Sequence, residues 1–92
     1  MADKLTDDAV REGIEGTEWN REGDAIQRDL EFSDFKAAMA YVNRVAEAAE
    51  EANHHPDILV HGWNKVRLTL STHSEGGLTE NDHALAAAID EL

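Results

Sequence analysis

The sequence predicts an α+β two-layer sandwich: a four-stranded antiparallel sheet with three helices packed on one face. Three observations point there. Lys65 to Thr72 alternates apolar and polar residues, with Val66, Leu68 and Leu70 on one side, the period of a half-buried strand. Phe35, Ala38, Met39, Val42, Val45, Ala46 and Ala49 recur at the spacing of an amphipathic helix. The elements follow in the order helix, two strands, helix, two strands, helix, so short connections pair the strands and one long helix separates the pairs.

The first helix opens at Leu5-Thr6-Asp7-Asp8, where Thr6 caps and the two aspartates suit the positive end of the helix dipole; it ends by Gly16. Glu18 to Glu22 is a short strand, Gly23-Asp24 a turn, and Ala25 to Phe32 a second strand with Ile26, Arg28, Leu30 and Phe32 on one face. Arg28 breaks that apolar set. Ser33 caps the longest helix, which runs to about Ala52. At about 1.5 Å per residue its roughly 20 residues span about 30 Å, enough to cross the sheet. Pro56 disfavours helix at the residue before it, so His54-His55 lies in the exit from that helix. Ile58-Leu59-Val60 begins the third strand, Gly62 marks a turn, and Lys65 to Thr72 is the fourth strand. After Gly76-Gly77, Thr79 caps the last helix, with Leu85, Ile89 and Leu92 as its buried seam.

The 92 residues, 41% of them apolar, suit a single domain spanning residues 1–92 with one modest core. No cysteine is present, which removes disulfides and thiolate ligands. The polar, acidic start from Met1 is unlike a signal peptide, and no apolar run approaches the roughly 20 residues of a membrane span. The expectation is a soluble, cytoplasmic protein. Twenty acidic residues against eight basic ones give a net charge of −12, a field that repels phosphates and argues against nucleic-acid binding. Such self-repulsion is tolerated where salt screens it, which fits a salt-rich, halophile-like cytoplasm.

The chemistry concentrates in Asn53-His54-His55-Pro56-Asp57 and Ser71-Thr72-His73. Imidazole exchanges protons near neutrality, so three together suit acid/base work or metal binding. Zinc ligation by the histidines with Glu50 or Asp82 stays open in number, although no regular ligand spacing supports it. Adjacent side chains in extended backbone point to opposite sides, so His54 and His55 serve one centre only if Pro56 bends the chain. Asp82 stands three residues after Thr79, the capping-box position, and Glu50 one helical turn before His54. Trp19 and Trp63 each suit the core or the wall of a planar site, with the core the expected place for Trp63. His61 and His83 read as incidental.

Glu50-x-x-x-His54-His55-Pro56, then Trp63-Asn64-Lys65-Val66, Ser71-Thr72-His73, Gly77-Leu78-Thr79 and Asp82, resemble in order the signature of the pterin-4a-carbinolamine dehydratases. Trp19-Asn20 with Asp24-Ala25-Ile26 resembles that family's first hairpin. Asn53 in place of the aspartate of animal members, and Trp63 in place of tyrosine, depart from the pattern.

The resemblance implies dehydration of 4a-hydroxytetrahydrobiopterin, or a related carbinolamine, to the quinonoid dihydropterin, with no metal or redox cofactor. By analogy His54, His55 and His73 form the acid/base set. Glu50 and Asp82 orient or contact the site, and Trp19 with Ser71 and Thr72 holds the pterin. Family resemblance further implies a homodimer or homotetramer. Two other readings share the fold: a protein-binding module, as in animal members that partner a transcription factor, and a dehydratase of another pterin, such as in molybdopterin metabolism.

Overall fold

The computed structural model describes residues 3–92; Met1 and Ala2, where the leader reading begins, lie outside the described residues. In chain order the elements are α1 (Asp7–Ile14), β1 (Asn20–Glu22), β2 (Ala25–Glu31), α2 (Phe35–Ala52), β3 (Asp57–His61), β4 (Lys65–Leu70), a 3-10 turn (His73–Glu75) and α3 (Glu80–Asp90). The sheet order is β1-β2-β4-β3 with every neighbouring pair antiparallel, so β2 and β3 run parallel with β4 between them. The α+β sandwich expected from the element order is the fold. No helix among the described residues is long and apolar enough to cross a membrane.

The register explains the core. Ile26 lies opposite Leu70, Arg28 opposite Leu68 and Leu30 opposite Val66. Ile26, Val66, Leu68 and Leu70 are wholly buried. Onto this face pack Val10 from α1, Ala38, Tyr41, Val45 and Ala49 from α2, and Leu85, Ala86 and Ile89 from α3. Arg28, the interruption in the second strand's pattern, faces the same layer and reaches Asp90 at the end of α3 (2.5 Å). Asp90 also accepts the Trp19 indole N–H (2.9 Å). A cation at the negative end of a helix dipole, paired with a carboxylate, offsets part of the cost of partly burying this arginine, whose Nε is left without a partner.

Four expectations change. The α2 cap is Asp34, whose carboxylate accepts the Ala37 N–H (2.7 Å), not Ser33; a charged acceptor at a helix N-terminus outcompetes a hydroxyl one residue earlier. The buried stripe is rotated so that Tyr41 is inside while Phe35 (53% exposed) and Ala46 are outside. Tyr41 packs its ring on Phe32, with centroids 5.1 Å apart, and burial raises its phenol pKa above the ordinary value. Trp63 is not core: it is 61% exposed, because Gly62 and Trp63 both adopt positive φ in the β3–β4 turn and throw the indole outward. Leu92 is likewise exposed, lying beyond the last turn of α3.

The cap reassignment is testable. Asp34→Ala should destabilise the protein by about 1 kcal/mol, lowering Tm by roughly 4–8 °C, while Ser33→Ala leaves the melting curve in place. The opposite ranking in thermal melts would return the cap to Ser33.

Candidate active site

The backbone that delivers the two histidines is set by the end of α2. Asn53 takes the left-handed conformation (φ 52°, ψ 40°), its N–H bonding to Glu50 O (3.2 Å) while the His54 N–H returns to Ala49 O (3.1 Å). This is a Schellman closure, and asparagine is among the few residues that tolerate it. The reversal brings His55 back against α2, where its Nε2 meets Glu50 Oε2 at 2.5 Å. Glu50 therefore orients His55 rather than His54, the residue one turn on.

His54 turns the other way, as adjacent side chains must. Its Nε2 lies 2.6 Å from Asp82 Oδ1, with the imidazole only 16% exposed and the carboxylate fully buried. Asp82 Oδ2 closes the capping box on the Thr79 N–H (2.9 Å) and accepts the Thr72 hydroxyl (2.7 Å). The capping role expected of Asp82 is carried by Oδ2, and Oδ1 meets the His54 imidazole.

His73 opens the 3-10 turn after β4. That loop is pinned at its base by Thr72 N–H to Gly77 O (2.9 Å) and Gly77 N–H to Thr72 O (3.3 Å). Gly76 makes the reversal with φ 69°, a conformation that glycine adopts freely.

On the helix-free face, where the β1–β2 turn meets the start of β3 and the end of β4, these elements enclose a cleft of about 350 Å³. It is lined by Asp24, Ala25, His55, Asp57, Thr69, Ser71, His73 and Gly76. The Ser71 hydroxyl lines it while donating to the Asp24 carbonyl (2.8 Å). Of the residues singled out in the sequence, His55, His73 and Ser71 thus share the cleft, and Glu50 backs His55. His54, Thr72 and Asp82 form a connected cluster that is not part of the cleft lining. Trp19 is not brought to the cleft; it is buried in the core and bonded to Asp90.

Asp24, Ala25, Asp57, Thr69 and Gly76 are cleft residues that were not among the candidates. Strand register would have found two of them, since Asp57 pairs with Thr69 across β3–β4. A second depression of about 320 Å³ on the same face is lined by Asp29, Leu30, Glu31, His61, Lys65 and Arg67. There Arg67 grips both Asp29 oxygens (2.8 and 3.3 Å), and the guanidinium hydrogen bond holds the Asp29 carboxyl below its usual range. It is a matched ion pair on a sheet, with a single imidazole. Among the described residues no group of three or more His, Asp or Glu side chains is disposed to hold a metal ion.

Fold and site together define a small α+β domain that sets imidazole–carboxylate pairs around one cleft of its sheet. Residues 3–92 match the family described as pterin 4 alpha carbinolamine dehydratase. A protein of Acidobacterium capsulatum named "Putative pterin-4-alpha-carbinolamine dehydratase" is 52% identical over 90 residues, covering 97% of each chain. One of Thermomicrobium roseum with the same name is 57% identical over 74 residues, 80% of this chain and 78% of its own. The fold is similar to the crystal structure of a transcriptional coactivator/pterin dehydratase from Brucella melitensis, with TM-score 0.89, 33% identity and 97% of each chain covered. It is also similar to a pterin dehydratase-like protein described as a RuBisCO assembly factor in the alpha-carboxysome, with TM-score 0.67, 25% identity and coverage of 83% and 89%. The chain belongs to the pterin-4a-carbinolamine dehydratase family.

Proposed function

We propose that this protein dehydrates a pterin-4a-carbinolamine, 4a-hydroxytetrahydrobiopterin or a close analogue, to the quinonoid dihydropterin and water. The observation that carries this reading is that His55 and His73 line one cleft, with Glu50 hydrogen-bonded to the first. Elimination breaks the C4a–O bond and forms a C4a=N5 double bond. A protonated imidazole gives its proton to the departing hydroxyl, which leaves as water. A neutral imidazole takes the proton from N5, whose electron pair makes the new bond. The two transfers cancel, so the pair returns to its starting state after proton exchange with solvent, and no electrons are gained or lost. His54, held by Asp82, completes the proposed histidine set.

The substrate is a dissolved small molecule, and the protein acts in the cytoplasm as a homodimer or homotetramer. Edge strand β3 supports self-association: its Leu59 is 51% exposed and the turn that follows presents Trp63. The same surface favours the second reading, a protein-binding module, which the coactivator and assembly-factor descriptions of the two structural relatives suggest for this fold.

Stopped-flow measurement of 4a-hydroxytetrahydropterin dehydration, with chelator present, separates the two. The dehydratase reading expects turnover well above the spontaneous reaction. A rate equal to background in folded protein would move the assignment to the binding module.

A further inference from the structure

We propose that Thr72 is the positioning residue of this site: its hydroxyl fixes the Asp82 carboxylate on His54 and does not bind the pterin. The inference rests on the dehydratase reading for its kinetic consequence, and on geometry alone for its structural one.

The cluster can be wired in one direction. Thr79 Oγ1 accepts the Asn81 N–H (3.2 Å) as the helix cap, so its own proton is free to go to Thr72 Oγ1, 2.8 Å away. The single Thr72 proton then goes to Asp82 Oδ2 (2.7 Å), which also takes the Thr79 N–H (2.9 Å). With Oδ2 occupied by two donors, Oδ1 is left for His54 Nε2 at 2.6 Å. A carboxylate oxygen accepts here, so Nε2 is the nitrogen that carries the proton in this contact, and Nδ1 is the nitrogen the cluster leaves free.

Burial makes the wiring binding on the side chains. Thr79 and Asp82 are wholly buried and Thr72 is 9% exposed, so water does not substitute for a missing partner without the cluster opening. Thr72 is not among the residues that line the cleft, although its neighbours Ser71 and His73 are. Its backbone also clamps the loop that carries His73. One residue therefore ties the orientation of His54 to the position of His73.

The test compares Thr72→Val, which keeps the shape and removes the hydroxyl, with Thr72→Ser, which keeps the hydroxyl. In Thr72→Val, kcat should fall about 10- to 100-fold with KM nearly unchanged, a part of the roughly 10²- to 10⁴-fold that a positioned general acid or base supplies. In parallel, NMR of the 15N-labelled protein should show the neutral His54 ring with its proton on Nε2. That N–H should be protected in the wild type and exchange with solvent at least tenfold faster in Thr72→Val. Thr72→Ser should restore both readouts.

A rise in KM at unchanged kcat would overturn the proposal and return Thr72 to the substrate. Unchanged exchange in Thr72→Val would overturn it equally. A wild-type His54 protonated on Nδ1 would overturn it whether or not the valine variant folds. If the wild type turns over no pterin, the dehydratase reading fails, and the NMR comparison still decides the positioning role.

Discussion

His55→Ala is expected to lower kcat for carbinolamine dehydration by about 10²- to 10⁴-fold, the usual worth of a positioned general acid or base. His55 lines the cleft, and its ring is held by Glu50 at 2.5 Å, so it presents its other nitrogen in a fixed direction. The His55 side chain is 58% exposed and Glu50 76%, so truncation creates no cavity and leaves no buried group unpaired. The melting temperature should therefore stay within a few degrees of the wild type, which separates a chemical defect from a folding one. His73→Ala should give a loss of the same order, because His73 lines the same cleft from an exposed position. Glu50→Gln should cost less, since the exposed pair is weakened by solvent and the imidazole itself remains. Stopped-flow single-turnover kinetics at saturating substrate check all three. A His55→Ala rate within twofold of the wild type would remove His55 from the chemistry and leave His73 with His54 as the only candidate pair.

What could be read in the sequence follows from which signals are local. The alternation of Val66, Leu68 and Leu70, the Thr6 and Thr79 caps and the Thr79–Asp82 capping box are set by neighbours within a few residues, and all appear in the structure. The α2 stripe expected from Phe35 and Ala46 omits Tyr41, whose ring fills the core beside Phe32; an aromatic ring with a polar tip carries no clear inside or outside signal in its local pattern. Trp63 was misread for a different reason. Its size suggested burial, yet the two consecutive left-handed residues of the β3–β4 turn point it away from the core. At the site, the three histidines were legible as types and as an ordered pattern. Their division between the cleft and the buried cluster was not, because it depends on the Schellman reversal at Asn53 and on contacts such as His54 to Asp82, 28 residues apart.

Asp82→Ala is expected to be the most destabilising single change at the site, costing about 3–5 kcal/mol, the range found when one partner of a buried charged pair is removed. Three donors converge on this carboxylate: the His54 Nε2–H, the Thr72 hydroxyl and the Thr79 backbone N–H. None of them gains solvent when it goes, since the position is wholly buried. Alanine also deletes half of the capping box of α3, the helix whose Leu85, Ala86 and Ile89 close the core. Asp82→Asn keeps the volume and one acceptor oxygen but replaces the other with an NH2 group that faces a donor. Its cost should be smaller, about 1–3 kcal/mol for the donor left unsatisfied. At roughly 4–8 °C per kcal/mol for a domain of this size, alanine should lower Tm by more than ten degrees and asparagine by several. Urea titration with an unchanged m-value would show that the folded state itself has lost stability. Should Asp82→Ala unfold within about 1 kcal/mol of the wild type, the carboxylate would contribute little net stability after its desolvation is counted. Its retention in the core would then serve only to hold His54, and the loss would appear in kcat alone.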